Sequence, residues 1–247
     1  MAHPIAISGF SSDPWRYERG RPGYPPDAVR FLLDTIPNGP DDLILDVGAG
    51  TGKLTRALTS SQATVVAIDP VEDMVRLVAE FAPDAHIALG IAEDLPVAAG
   101  SVAAITSAQA FHWFDTDRTW AEFARALRSG GAVAVVANAR HRGVRWVDQI
   151  WDLMDRLEAT APWRDRSRQE QFAPHPEFSG VERASFRHRV AMDRDAVIAR
   201  MMSVSHVAVL PAAARVEIER EISAIVAAVD GPLEITYRTD VVIRRRI

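Results

Sequence analysis

The stretch Leu43-Ile44-Leu45-Asp46-Val47-Gly48-Ala49-Gly50-Thr51-Gly52-Lys53 decides the fold. Its first five residues are a short run, mostly apolar, that glycines close, the pattern of a buried strand in a parallel sheet. Three glycines at alternate positions then let the backbone turn tightly and let a ligand approach with no Cβ in the way. A helical pattern follows over 53–60, and a helix start presents free N–H groups. A phosphate-binding P-loop needs G-x-x-x-x-G-K-[ST]. Here Val47 stands where its first glycine belongs, and Leu54 follows Lys53. The dinucleotide fingerprint G-x-G-x-x-G is weakened by Lys53 at its third glycine. The pattern D-x-G-x-G-x-G, from Asp46 through Gly48 and Gly50 to Gly52, is complete. A glycine turn without a ligand is the remaining reading.

Strands and helices alternate on both sides of this loop. Apolar residues at helical spacing over 27–36 end at Pro37-Asn38-Gly39-Pro40. After the loop come a strand over 64–69, a helix over 71–81 and a short strand over 85–89. A loop around 93–100, a strand over 102–107 and a helix over 117–128 follow. Ser129-Gly130-Gly131 then leads into a fifth strand over 132–138. This alternation predicts a parallel sheet with right-handed crossovers. Beyond 138 the pattern changes: 144–160 and 193–229 read as helices, 162–176 as irregular, and 181–190 and 233–245 as extended. In the last run Leu233, Ile235, Tyr237, Thr239, Val241 and Ile243 share one face, as in a half-buried strand at or near a sheet edge.

The chain has 247 residues, 48% hydrophobic and 25% charged, which is ordinary for a globular protein with its own core. Its formal net charge of −5 does not call for nucleic acid. The cluster Arg244-Arg245-Arg246 reads as a solvated strand end. The absence of cysteine excludes disulfides, thiolate catalysis and Cys-bound metal. The seven histidines show no metal-ligand spacing, so no metal is expected. The first residues lack the basic and apolar regions of a secretory signal, and no run approaches the ~18 apolar residues of a membrane span. A cytoplasmic protein with neither membrane nor nucleic-acid partners is expected, and the sequence leaves its oligomeric state open.

The second strand ends in Asp69. A carboxylate at that point, about 20 residues past the first glycine, can accept two hydrogen bonds from a ribose diol. It can equally cap the helix over 71–81, which Pro70 favours. Met74, one turn into that helix, either packs on a base or belongs to the core. The fourth strand runs into Gln109-Ala110-Phe111-His112-Trp113-Phe114-Asp115 at the strand ends, where open α/β sheets bind ligands. His112 reads as a general base or as a residue that orients the turn. Phe111, Trp113 and Phe114 read as core residues or pocket walls.

With Gly90-Ile91-Ala92-Glu93-Asp94-Leu95-Pro96 and Ser129-Gly130-Gly131, four motifs stand in the right order over 43–138, and this region resembles class I S-adenosylmethionine-dependent methyltransferases. The string Gln109–Asp115 and the arm Tyr17-Glu18-Arg19-Gly20-Arg21-Pro22-Gly23-Tyr24-Pro25 resemble a small-molecule branch that includes trans-aconitate methyltransferases. So do Ser203–Val207 and Tyr237–Thr239. The resemblance implies a single doubly wound α/β domain over 1–247, Rossmann-like. Its seven-stranded, mostly parallel sheet would have an antiparallel last strand. An arm (1–26) would lie over the site, with a cofactor core at 41–138 and a mainly helical lid at 139–230.

For the cofactor the resemblance implies Tyr17, Arg21, Asp46, Gly48, Ala49, Gly50, Gly52, Asp69, Pro70, Met74, Ala92, Glu93, Gln109, Ala110 and Phe111. Tyr17 would lie near the sulfonium and Arg21 near a carboxylate. Trp113, Asn138, Arg140, Trp146 and His206 are the candidates for a pocket holding a small-molecule acceptor. Arg142, Arg145 and Trp151 nearby would suit an anionic or aromatic acceptor, although solvated arginines are the commoner case. The rival functions are a protein that binds S-adenosylmethionine without methyl transfer and an NAD-dependent oxidoreductase.

Overall fold

A computed structural model describes residues 13–159 and 175–247. Residues 1–12 of the arm and most of the irregular stretch over 162–176 lie outside the described residues. The strands are β1 (Leu43–Val47), β2 (Thr64–Asp69), β3 (His86–Leu89), β4 (Val102–Ala108), β5 (Leu127–Arg140), β6 (Glu182–Met192) and β7 (Leu233–Arg245). They form one seven-stranded sheet in the order β3-β2-β1-β4-β5-β7-β6. The first five are parallel, and β7 runs antiparallel to both β5 and β6. The last strand is therefore interior, and β3 and β6 are the edges.

The helices are α1 (Pro14–Gly20), α2 (Pro26–Thr35), α3 (Thr55–Leu58), α4 (Glu72–Phe81), α5 (Thr116–Ala126), α6 (Arg145–Ala159), α7 (Arg194–Met202), α8 (Ser205–Ala208) and α9 (Ala212–Ala227). Alternate strand residues feed two cores. Ile44, Val65, Ala134, Val136, Val241 and Ile243 pack with Leu32 of α2. Leu45, Ile68, Ile105, Val133 and Val135 pack with Trp120 and Phe123 of α5. Burying such side chains contributes ~1.5–3 kcal/mol each. A third core joins Trp151 and Met154 of α6, Val197 and Met201 of α7 and Ile222 of α9 to Leu233, Ile235 and Tyr237 of β7. One apolar face of β7 thus serves the main sheet at one end and the helical insertion at the other, as its alternation requires.

Five local expectations change. The cluster Arg244-Arg245-Arg246, expected as a solvated strand end, is tied into the fold: Arg244 is buried and donates to the Ser179 carbonyl at 2.9 Å, and Arg245 and Arg246 donate to the Thr35 and Leu127 carbonyls at 2.6 and 2.7 Å. The helix over 53–60 shrinks to Thr55–Leu58, because Gly52 takes φ +82° and the chain turns before the helix starts. The turn at Ser129-Gly130-Gly131 lies inside β5: Gly130 at φ +75° forms a bulge, and the ladder resumes at Ala104 opposite Ala132. The helix over 193–229 is three helices, broken near Ser203 and at Pro211, which precedes α9. The arm, aperiodic in sequence, carries α1, capped where the Arg16 N–H donates to Asp13 Oδ1 at 2.9 Å and started by Pro14.

A helix that short does not stand alone in water. It is held by its neighbours. Gly20 is buried against α7 so closely that a Cβ would lie 2.4 Å from the Arg200 backbone nitrogen. Arg19 reaches Asp193 and Asp195, and Arg16 reaches Glu219. Gly20→Ala should therefore lift the arm. The expected loss is ~1–3 kcal/mol of stability, with faster tryptic cleavage at Arg16 and Arg19. Gly23→Ala, whose Cβ meets nothing within 4 Å, serves as the control and should stay within ~0.5 kcal/mol. Equal behaviour of the two variants would contradict this packing.

Candidate active site

The glycine loop sits at the C-terminal ends of β1 and β2. Its first two N–H groups, of Gly48 and Ala49, donate to the Ile68 carbonyl at 2.8 and 3.1 Å. The Gly50 N–H donates to Asp69 Oδ2 at 2.9 Å, and the Val71 N–H donates to Asp69 Oδ1 at 2.9 Å. Asp69 therefore ties the loop to the start of α4 while bordering the cleft, and each oxygen keeps a lone pair for a ligand. Burial raises its pKa, opposed by the Val71 and Gly50 hydrogen bonds.

Gly48 and Gly50 hold φ +71° and +56°. A Cβ on Gly48 would meet Ala110 Cβ at 2.5 Å, whereas one on Gly50 would make only ordinary contacts with two cleft-wall side chains, 3.7 Å from Met74 Cε and 4.0 Å from Tyr17 Cε1. Gly48 is small so that two loops can touch, and Gly50 faces the cleft.

That cleft encloses about 710 Å³ including its mouth. Tyr17, Gly48, Gly50, Asp69, Pro70, Met74, Ala92, Glu93, Gln109 and Ala110 line it. A recess of about 450 Å³ behind the loop is bordered by Arg21 and Ala49. Asp46, Gly52 and Phe111 shape these walls from behind. Asp46 is fully buried, accepting from the Thr55 hydroxyl at 2.6 Å and the Thr106 hydroxyl at 3.0 Å. Gly52 faces Val78. Phe111 packs its ring 5.5 Å from Trp120 and 5.6 Å from Phe114. Glu93 also accepts the Asp115 N–H at 2.9 Å, which joins the cleft to the start of α5.

A second chamber, about 1190 Å³ with its opening, adjoins the cleft. Trp113, Asn138, Arg140, His206 and His112 line it; Trp146 instead packs into the helical core. Arg142 pairs with Asp152 and Asp155 on α6, and neither it nor Arg145 lines the chamber. Tyr17, Gln109 and Trp113 border both cavities. Gln109 holds φ +58°, rare for a residue with a side chain, and its amide donates to the Asn138 carbonyl at 3.2 Å.

The arm roofs this junction. Glu18 accepts from Thr51 Oγ1 at 2.5 Å, Lys53 Nζ at 3.0 Å and Arg56 Nη2 at 2.7 Å. Burial works against its charge, but the Thr51, Arg56 and Lys53 interactions outweigh it and hold the carboxyl below its usual value. Sequence reasoning missed this latch, and missed Arg200, Val204 and Met154 in the chamber wall. Each depends on contacts between distant segments.

Burial, opposed by the Thr55 and Thr106 hydrogen bonds, pushes Asp46 up to about 6 from an ordinary 3.8. A carboxyl raised on folding stabilises below its unfolded pKa and loses that contribution as pH rises through the folded one. Asp46→Asn removes the loss. Between pH 4 and pH 7 the variant should gain up to ~3 kcal/mol relative to the parent in urea unfolding. Parallel stability profiles would contradict this.

Residues 45–135 match the family described as "Methyltransferase domain". The chain is 37% identical over 206 residues to an uncharacterized methyltransferase of Mycobacterium tuberculosis, covering 83% of this chain and 80% of that protein. It is 31% identical over 163 residues to an uncharacterized methyltransferase-like protein of Schizosaccharomyces pombe, covering 66% of this chain and 64% of that one. Among solved structures, one from Anaeromyxobacter dehalogenans assigned as a type II methyltransferase superposes with TM-score 0.68 at 29% identity, over 91% of this chain and 97% of that one. A geranyl diphosphate methyltransferase solved with S-adenosylmethionine shares the fold at TM-score 0.50 and 18% identity, over 90% of this chain and 85% of that one. A relative this similar over most of its own length shows the family, and the chain belongs to the class I S-adenosylmethionine-dependent methyltransferases.

Proposed function

We propose that this enzyme binds S-adenosylmethionine in the cleft over Gly50 and methylates a small molecule held in the adjoining chamber. The observation that carries this is the shared wall: Tyr17, Gln109 and Trp113 face both spaces, so a ligand in each meets the other there. The cleft suits the cofactor. Asp69 offers carboxylate oxygens where a ribose diol would lie, Met74 and Ala92 offer apolar surface for a base, and Gly50 leaves the passage between them open.

Bound there, S-adenosylmethionine supplies an activated methyl group on a sulfonium. The protein's own part is to position and to exclude water. The ring of Tyr17 at the junction attracts cations, and the Arg21 guanidinium lies over it, 4.9 Å from its centroid. The arm, latched by Glu18, keeps bulk water from the junction. His112 lines the acceptor chamber, its ring 4.8 Å from that of Trp113, and is placed to take a proton from an acceptor.

Calorimetry should show S-adenosylhomocysteine binding and no heat with NAD; the reverse would overturn this reading. Gly50→Val should abolish binding in a folded protein. Asp69→Ala should weaken the cofactor by ~1.5–3 kcal/mol, and unchanged affinity would confine Asp69 to its backbone bonds. His112→Ala should lower kcat by ~10²-fold or more with little change in cofactor affinity. A change below about threefold would reduce His112 to an orienting residue.

A further inference from the structure

The acceptor chamber contains an arginine that the rest of the described chain leaves unsatisfied. Arg200, on α7, borders both the chamber and the recess behind the glycine loop, and its Nε and Nη1 are buried with no hydrogen-bond partner among the described residues. Buried donors are nearly always paired, and an idle guanidinium is costly. A structural arginine spends its donors on nearby acceptors, as Arg19 does with Asp193 and Asp195. The Trp151 Nε1–H belongs to the same wall and is likewise buried and unpartnered. The Arg200 guanidinium carbon lies over the Trp151 ring, 5.7 Å from its centroid, a cation–π contact that seats the guanidinium at this wall and leaves its Nε–H and Nη1–H unused.

The surroundings are cationic. Arg21 borders the same space, with Nε and Nη2 donating to Ser203 at 3.3 and 3.0 Å. Burial, and after it the nearby Arg200 charge, push the Arg21 guanidinium down to about 10. No Asp or Glu lines the chamber among the described residues. Arg140 lines the chamber too, paired at 2.7 Å with Asp155 from outside it, so in a protein of net charge −5 three arginines gather at one wall by local arrangement.

We propose that the acceptor is an anion, and that Arg200 anchors its oxyanion group, a carboxylate or a phosphate, with the Trp151 Nε1–H as second donor and Arg21 as supporting charge. The planar guanidinium fork suits either group. This deepens the methyl-transfer reading and rests on it.

The test is titration of the full chain, loaded with S-adenosylhomocysteine, with benzoate, tricarballylate, inorganic phosphate and the neutral analogue benzamide. At least one oxyanion should bind and benzamide should not; which anion binds separates carboxylate from phosphate. Arg200→Met should weaken that anion by about 10- to 100-fold while S-adenosylhomocysteine affinity stays within about twofold. Arg200→Lys, which keeps the charge without the fork, should recover part of the loss. Should Arg200→Met melt, the parent's preference for benzoate or phosphate over benzamide still decides. Equal binding of benzamide, or binding of no oxyanion, overturns the proposal. So does loss of S-adenosylhomocysteine with anion binding retained, which would assign Arg200 to the cofactor's carboxylate. If the parent chain fails to bind S-adenosylhomocysteine, the methyl-transfer reading falls, and the anion titrations repeated without it still report on Arg200.

Discussion

The pair of hydrogen bonds that Asp69 accepts, from the Gly50 N–H and the Val71 N–H, sets the position of the whole cleft. β1 and β2 are neighbours in parallel register, with Val47 opposite Ile68, so their ends stop at the same level. Gly48 and Ala49 hook onto the Ile68 carbonyl, and one residue further Asp69 holds Gly50 on one side and the start of α4 on the other. The loop, the helix carrying Met74 and the acidic group thus form one rigid corner. Had Asp69 been longer or apolar, Gly50 would lose its anchor and α4 its approach angle. Asp46, one strand over, braces the same corner from beneath through Thr55 and Thr106.

The arm then couples this corner to the helical insertion. α1 is short, yet one of its residues, Glu18, bonds Thr51, Lys53 and Arg56 around the glycine loop. Another, Gly20, lies against the α7 backbone. Arg21 continues to Ser203 at the end of α7. Glycine at position 20 lets the arm sit low enough for Tyr17 to face both cavities. The same close approach buries the side of α7 from which Arg200 reaches the chamber.

Much of this was legible in the sequence. The glycine spacing, the buried strand before it and the period-2 face of β7 report short-range physics, and the structure follows them. The helical stretch read over 193–229 breaks at Pro211, a residue that reading passed over. Other features were not legible. α1 exists because α7 and the glycine loop hold it, through contacts 33 to 38 residues away in sequence around the loop and 176 away at Asp195 of α7. The β5 bulge depends on pairing across to Val102 and Ala104. Asp46 and Phe111 stand within the site motifs, but whether they face a ligand or the core depends on Thr106 and Trp120, on other elements. Arg200, in a helix with ordinary charged neighbours, resembles any solvated arginine until the arm is placed over it.

Latched by Glu18, arm and loop should close together over a bound cofactor. Hydrogen exchange of the full chain with and without S-adenosylhomocysteine tests this most directly. Segments 13–26 and 46–52 should gain protection together on binding, and Glu18→Ala should uncouple them, leaving the loop protected and the arm exchanging freely. Protection confined to 46–52 in the parent chain, with 13–26 unchanged, would contradict the account and leave the arm as a structural strap.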